Sequence, residues 1–349
     1  MRAKRIPIMG SLAVLVLVGS IVLLSIQYQQ QVWSTGIYPG FQDFVGISAH
    51  RQQQNQKQEV AEEYRFETSW GSKGEGDGQF KLPHSLALDP AGNVYVTDTG
   101  NNRVEKFSSN GTFLGKWGSK GTGDGQFDQL HDVAVDSEGK FIYTVELGNH
   151  RVQKFYNNGT FVTKWDFKDT GGSGADRRPH QLTVNPPGEV FLTDRGGSEI
   201  LRFDNNGTFL GKWGSKGTGA GQFIKPHGIS FDGNDHLYIT DMGNSRVQKF
   251  DMNGTFISQW GTHGTAKGEF SDSIPGVAVD SKGFVYVIDR LQSRIQKFDE
   301  TGKLITMWGS EGSSLGQFNK PEDIVINNKT GVIFVTDTKN SRVQTFQLK

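Results

Sequence analysis

The chain has 349 residues, with 37 basic side chains against 37 acidic ones, 46 glycines and no cysteine. This balance lacks the basic footprint of a nucleic-acid-binding protein, and without cysteine neither disulfides nor thiolate metal sites are available. Glycine at roughly twice ordinary usage beside normal apolar content favours a turn-rich all-β protein over a helical one.

Residues 6–26 (IPIMGSLAVLVLVGSIVLLSI) carry no charge and have about the length a helix needs to cross a bilayer. Arg2, Lys4 and Arg5 precede them, and the positive-inside bias puts the N-terminus, residues 1–5, in the cytoplasm and everything after Gln27 outside it. A cleaved signal peptide is the rival reading. The apolar core is longer than a signal's, however, and no small-residue cleavage site follows it. The expectation is an uncleaved, single-pass anchor in the cell membrane. Residues 27–63 are polar and glutamine-rich, bury too little to fold, and read as a tether with a random-coil span of roughly 30–35 Å.

From residue 64 onward the chain repeats. Trp70, Trp117, Trp165, Trp213, Trp260 and Trp308 are spaced 47, 48, 48, 47 and 48 residues apart, a period that marks a propeller or solenoid. Within the first period SLALD (85–89), NVYVTD (93–98), RVEKF (103–107) and TFLGKW (112–117) are short, β-branched or aromatic, and separated by turn signals. Four strands per period make a propeller blade. Asn-Gly at Asn110, Asn158, Asn206 and Asn253 predicts two-residue type I′ hairpins before the fourth strand. The stretches WGSKGTGDGQF (117–127) and WGSKGTGAGQF (213–223) invite a phosphate-loop reading. They join no strand to a helix and lack the following lysine and serine or threonine, so they are punctuation between blades.

After Trp308 only three strands remain, while YRFETSW (64–70) is an orphan fourth strand ahead of the first full period. Pairing the two closes the ring and removes its open edges. The predicted fold is therefore an all-β, six-bladed propeller of four-stranded blades over residues 64–349, monomeric, behind one transmembrane helix.

The pattern PHSLALD…GNVYVTDTGNNRVEKF…NGTFLGKWG resembles the NHL repeat, and six copies cover nearly everything after the tether. NHL propellers occur as peptide-amidating lyases, as RNA- and protein-binding ends of TRIM-type ligases and as outer domains of bacterial sensor kinases. Function must then be argued from sites rather than fold.

In an antiparallel meander the entry to strand one and the loop between strands two and three share a face, here called the upper face. Strand one lines the channel, so its first residues point to the axis: His84, His131, His180, His227, Pro275 and Glu322 in blades one to six. The bland reading is that these histidines fill the strand entrance. The functional reading is a metal or anion site. Alternate blades of a six-fold ring lie about 120° apart, so His131, His227 and Glu322 form a trigonal set suited to zinc with an open fourth position. The resemblance to amidating lyases implies three histidines at this ring position holding zinc, with arginines and a tyrosine on the same face. Arg195 and Arg290 stand in the matching slot and are the candidate catalytic residues; no tyrosine does.

Asp98 with Arg103, Asp241 with Arg246, Asp289 with Arg294 and Asp337 with Arg342 bracket the upper hairpin as structural pairs, and blades two and three break the pattern, blade two with Glu146 and Arg151. Blade three has Asp194 facing Glu199, which leaves Asp194 for Arg195 or a ligand. Asn110, Asn158, Asn206, Asn253 and Asn328 head glycosylation sequons, on the lower face in four cases. These observations favour a membrane-anchored, extracytoplasmic binding or scaffold module that takes a protein, peptide or small-molecule ligand on its upper face. The alternative is a zinc-dependent lyase or hydrolase at the histidine ring.

Overall fold

In the computed structural model residues 62–167, 170–171 and 177–349 are described. The expected anchor at 6–26 and the tether up to residue 61 lie outside them; among the described residues no helix is long and apolar enough to cross a membrane.

Six four-stranded antiparallel sheets follow one another, each a simple meander. The first four have inner strands Pro83–Leu88, Leu130–Val135, Pro179–Val184 and Pro226–Phe231, and the fifth and sixth have Val277–Val279 and Pro321–Ile326. Second strands such as Val94–Asp98 and Ile333–Asp337 are buried along their whole length, because both faces of a blade pack on neighbours. Their Val, Ile, Tyr and Phe side chains form the clusters that join each blade to the next. The sixth sheet is made by strand Tyr64–Trp70 pairing antiparallel with Arg342–Leu348, from Tyr64 opposite Leu348 to Trp70 opposite Val343, with a one-residue register shift between Phe66 and Thr68. The propeller is closed by its two ends, as the orphan strand predicts.

Each outer-strand tryptophan is covered by the turn glycine of the following blade. A Cβ on Gly111 would lie 2.7 Å from the Trp70 ring, and one on Gly254 would lie 2.6 Å from Trp213. Glycine is therefore required here for close approach, besides its positive φ of 85° and 84°. Trp308 has no following turn. Tyr64 of the closing strand stacks on it instead, with centroids 4.2 Å apart.

The Asn-Gly turns differ from expectation. Only the glycine takes positive φ among the turn residues, and Gly111 N–H donates to Ser108 O, as Gly207 N–H donates to Asp204 O. The loop is one residue longer than a type I′ turn and ends in a register shift between Lys106 and Phe107. The reason is a side-chain acceptor at the turn's first position: Asp204 Oδ1 accepts from the N–H groups of Asn206 and Thr208, both at 2.8 Å.

The glycine-rich connections wrap an arginine. Arg103 donates to Asp98 at 2.9 Å and to the carbonyls of Glu75, Gly76 and Gln79 at 2.6–2.8 Å. Arg246 repeats this with Asp241, Thr218, Gly219 and Gln222. A loop that presents carbonyls to a guanidinium has the opposite polarity to a phosphate cradle.

Deleting Tyr64–Trp70 leaves Arg342–Leu348 as an open edge, and the full chain so truncated is expected to lose cooperative unfolding and to aggregate. Tyr64→Ala, which keeps the strand but not the stacking ring, is expected to cost about 2 kcal/mol. Thermal melts followed by circular dichroism check both; parental melting of the deletion variant would contradict closure.

Candidate functional site

The inner strands do not run straight into the sheet. In five blades the register slips by one residue at the strand entrance, between Pro83 and Leu86, Leu130 and Asp132, Pro179 and Leu182, Pro226 and Ile229, and Pro321 and Ile324. Such a bulge re-aims side chains, and here it lies at the ring residue. The N–H freed by the bulge is taken by the threonine of strand two: Ser85 N–H donates to Thr97 Oγ1 at 2.8 Å, Gly228 N–H to Thr240 at 2.7 Å and Asp323 N–H to Thr336 at 2.8 Å. The same hydroxyls reach the next blade. Thr193 donates to His227 O at 2.7 Å and Thr336 to His84 O at 2.9 Å. The Thr of each VTD-like segment thus fixes the ring, a role that the sequence shows only as a repeated letter.

The four histidines pack edge to edge around the axis, with centroids of successive rings 3.8, 4.4 and 4.5 Å apart. One ligand nitrogen from each of His131, His180 and His227 lies within 4.8 Å of the others. His131 Nδ1 is 3.1 Å from the carbonyl of His180, and His227 Nδ1 is 3.0 Å from that of Pro275. A carbonyl only accepts, so both Nδ1 atoms carry the proton and both Nε2 atoms keep a free lone pair. His180 Nδ1 is buried without any partner. Burial lowers all four basicities. His131 falls to about 4, chiefly by desolvation, and His227 to about 3, chiefly by desolvation and then by His131; His84 and His180 are also lowered, with burial the leading cause. The ring is neutral at pH 7, the state that ligates a metal.

The converging trio comes from consecutive blades and differs from the alternate-blade set of His131, His227 and Glu322. Glu322 stands across the mouth, where its Oε1 is 2.7 Å from Arg290 Nη2 and its Oε2 is 4.0 Å from His84 Nε2. Burial pushes its pKa up to about 7 against the pull of Arg290. Arg195, half-buried beside Arg178, forms no ion pair among the described residues; burial and Arg178 both lower its pKa.

Asp194 is not free. Arg177 Nη1 donates to it at 2.7 Å, Arg178 N–H at 2.9 Å and Gly196 N–H at 3.1 Å. Arg177 also donates to the carbonyls of Thr170 and Gly171, so it replaces the missing strand-three arginine from the preceding connection. The signal for this was the pair Arg177–Arg178 ahead of Pro179, in the one connection that lacks the GQF-like ending. The four expected acid–arginine pairs form at 2.7–3.0 Å, and Glu146 pairs with Arg151 in the same way at 2.6 Å despite its departure from the pattern. The sequon residues Asn110, Asn158, Asn206, Asn253 and Asn328 are all exposed.

Six meander blades around a histidine-lined axis define a six-bladed β-propeller with its candidate site at the axial mouth. Residues 80–107 and 318–346 match the NHL repeat, and residues 178–270 match a 6-bladed beta-propeller domain, so the chain carries NHL repeats within a six-bladed propeller fold. NHL repeat-containing protein 3 of Homo sapiens is 46% identical over 46 residues, and that of Mus musculus 44%, each match spanning 13% of this chain and only 13% of the relative. Among solved structures, a Bacteroides thetaiotaomicron protein of unknown function aligns at TM-score 0.62 and 17% identity over 82% of this chain and 76% of its own. A Xanthomonas campestris gluconolactonase aligns at 0.55 and 15% over 78% and 88%. A streptogramin B lyase aligns at 0.57 and 14% over 82% and 98%. At such identities the likeness is one of fold alone.

The lowered histidine values set a pH dependence. Against about 6.5 in an unfolded chain, His131 and His227 bind protons more weakly when folded, so protonation favours unfolding. Their contribution is complete above pH 6.5 and is lost as pH falls towards 4 and 3. Glu322 acts with the opposite sign between about pH 4.5 and 7. In metal-free protein the His131→Asn/His227→Asn variant is expected to flatten the fall between pH 6.5 and 4, by up to roughly 3 kcal/mol per histidine. Urea unfolding across this range tests it, and parallel curves for parent and variant would refute it.

Proposed function

We propose that the protein is a ligand-binding propeller whose site is the upper axial mouth, with His131, His180 and His227 holding a divalent transition-metal ion. The observation that carries this is the convergence of three neutral imidazoles, two of them fixed by Nδ1–H donation to backbone carbonyls. Metal-binding histidines are ordinarily held in this way by an outer acceptor. The third, His180, leaves a buried nitrogen without a partner. Three nitrogen donors suit zinc, which when bound supplies a Lewis-acidic position open to an oxygen ligand. Arg195, which has no ion pair among the described residues, offers its guanidinium to an anionic part of that ligand.

One observation favours a catalytic reading at the same mouth, that of a metal-dependent lyase or hydrolase. Glu322, with a pKa of about 7, can hold or release a proton at neutral pH, and Arg290 fixes its orientation. The same proposal places the propeller outside the cytoplasm, on an anchor at residues 6–26 and a tether. The exposed sequons fit an extracytoplasmic address.

Full-length protein stripped with a chelator and titrated with cobalt(II) is expected to take up one ion per chain with the visible absorption of a low-symmetry nitrogen site. The His180→Ala/His227→Ala variant is expected to bind about 100-fold more weakly or worse. Lack of stoichiometric uptake, or uptake undiminished in the variant, would overturn the metal reading.

A further inference from the structure

Nine of the eleven arginines among the described residues stand against a carboxylate. The two that do not, Arg178 and Arg195, are neighbours at the upper mouth. Arg195 N–H donates to the carbonyl of Arg178 at 3.0 Å, just beyond the cross-strand pair of Pro179 and Asp194. Like charges facing each other across strands are destabilising. Burial, and after it the Arg178 charge, lower the pKa of Arg195.

Blade three alone doubles the charge here. The matching positions of the other blades carry one basic residue at most: Lys225, Arg290 and Lys320 face Met242, Ser273 and Thr338. The acids of blade three are engaged elsewhere. Asp194 is taken by Arg177 at 2.7 Å, and Glu199 by Lys212 at 2.9 Å.

Both guanidiniums are open to a ligand. Arg178 is exposed, Arg195 is half-buried, and Gly196 and Gly197 after it put no side chain over the hairpin. The pair also borders the imidazoles. The basicity of His131, His180 and His227 falls chiefly by burial, and the charge of Arg195 lowers it further.

Two planar forks without an acid suit an anion that brings two charges and several acceptor oxygens. A phosphomonoester above pH 7 is such a group, and arginine meets phosphate oxygens bidentately. A lone carboxylate brings one charge and leaves part of the repulsion in place.

We propose that Arg178 and Arg195 form an anion site for the phosphoryl group of a phosphomonoester ligand at the upper mouth. This rests on the reading of that mouth as the ligand site, and it requires no metal ion.

Phenyl phosphate titrated calorimetrically into the chelator-stripped full chain at pH 8 tests this, beside phenyl sulfate and benzoate as singly charged probes. Saturable binding of about one phenyl phosphate per chain is expected, at least about tenfold tighter than either monoanion and weakened by added salt. Arg178→Gln/Arg195→Gln is expected to weaken it about tenfold or more. The melting temperature of that unliganded variant is expected not to fall, because neither arginine has an ion-pair partner to lose; a merely structural pair would lower it. Arg178→Gln alone, at an exposed position, is expected to weaken binding severalfold and keeps the test open should the double variant misfold. No saturable binding, undiminished binding in the variants, or a monoanion bound as tightly as phenyl phosphate would each overturn the proposal. Cobalt uptake is measured separately, so the metal reading and the phosphoryl site can fail independently.

Discussion

The pairing of Tyr64–Trp70 with Arg342–Leu348 is the joint on which the remaining geometry depends. A ring of inner strands has an axis only if it closes, and only closure abolishes free sheet edges. Contacts across the joint extend to the site itself. Thr338 donates to Pro83 O at 2.7 Å, Thr336 to His84 O at 2.9 Å and Ser85 to Asp323 at 2.8 Å. The entrance of the first inner strand, and with it His84, is therefore held by residues more than two hundred positions away.

Closure also explains why polar side chains tolerate the axis. Inner strands of six blades meet too tightly for bulk at every position, and two of them carry glycine immediately after the ring residue. A Cβ on Gly228 would lie 2.6 Å from Pro275 O, and one on Gly276 would lie 2.8 Å from Glu322 O. The imidazoles are flat, pack at tilted and edge-on angles and, at His131 and His227, donate their Nδ1–H to backbone carbonyls of the next blade. The Nδ1 atoms of His84 and His180 find no hydrogen-bond partner among the described residues. An unsatisfied buried nitrogen costs on the order of 1–3 kcal/mol. A structure keeps such an atom more readily where something else, a metal ion in our reading, uses that side chain.

Much of the architecture was legible because repetition made it so. Tryptophan spacing marked the blades, the orphan strand marked the closure, and the acid–arginine recurrence marked the upper hairpins. What repetition could not show was where a blade departs from the others. Arg177 takes the place of a strand-three arginine in a connection whose letters do not align, and Asn-Gly is compatible with both a tight primed turn and the longer turn found here. The trio whose nitrogens converge, His131, His180 and His227, differs from the alternate-blade set for a related reason. Equal angular spacing suggested alternate blades, yet imidazoles of consecutive blades reach one another across the axis, and Glu322 is drawn aside by Arg290.

The same departure from symmetry divides the channel. Immediately below the ring, blades one, two, three and six contribute Ser85, Asp132, Gln181 and Asp323, whereas blades four and five contribute only glycine. Side chains therefore cross the axis from one side, and Gln181 Oε1 comes within 3.2 Å of where a Cβ on Gly228 would lie. This polar layer separates an imidazole-lined upper mouth from the lower part of the channel. An axis with six identical blades would be a uniform pore; unequal residues at a single level divide it in two.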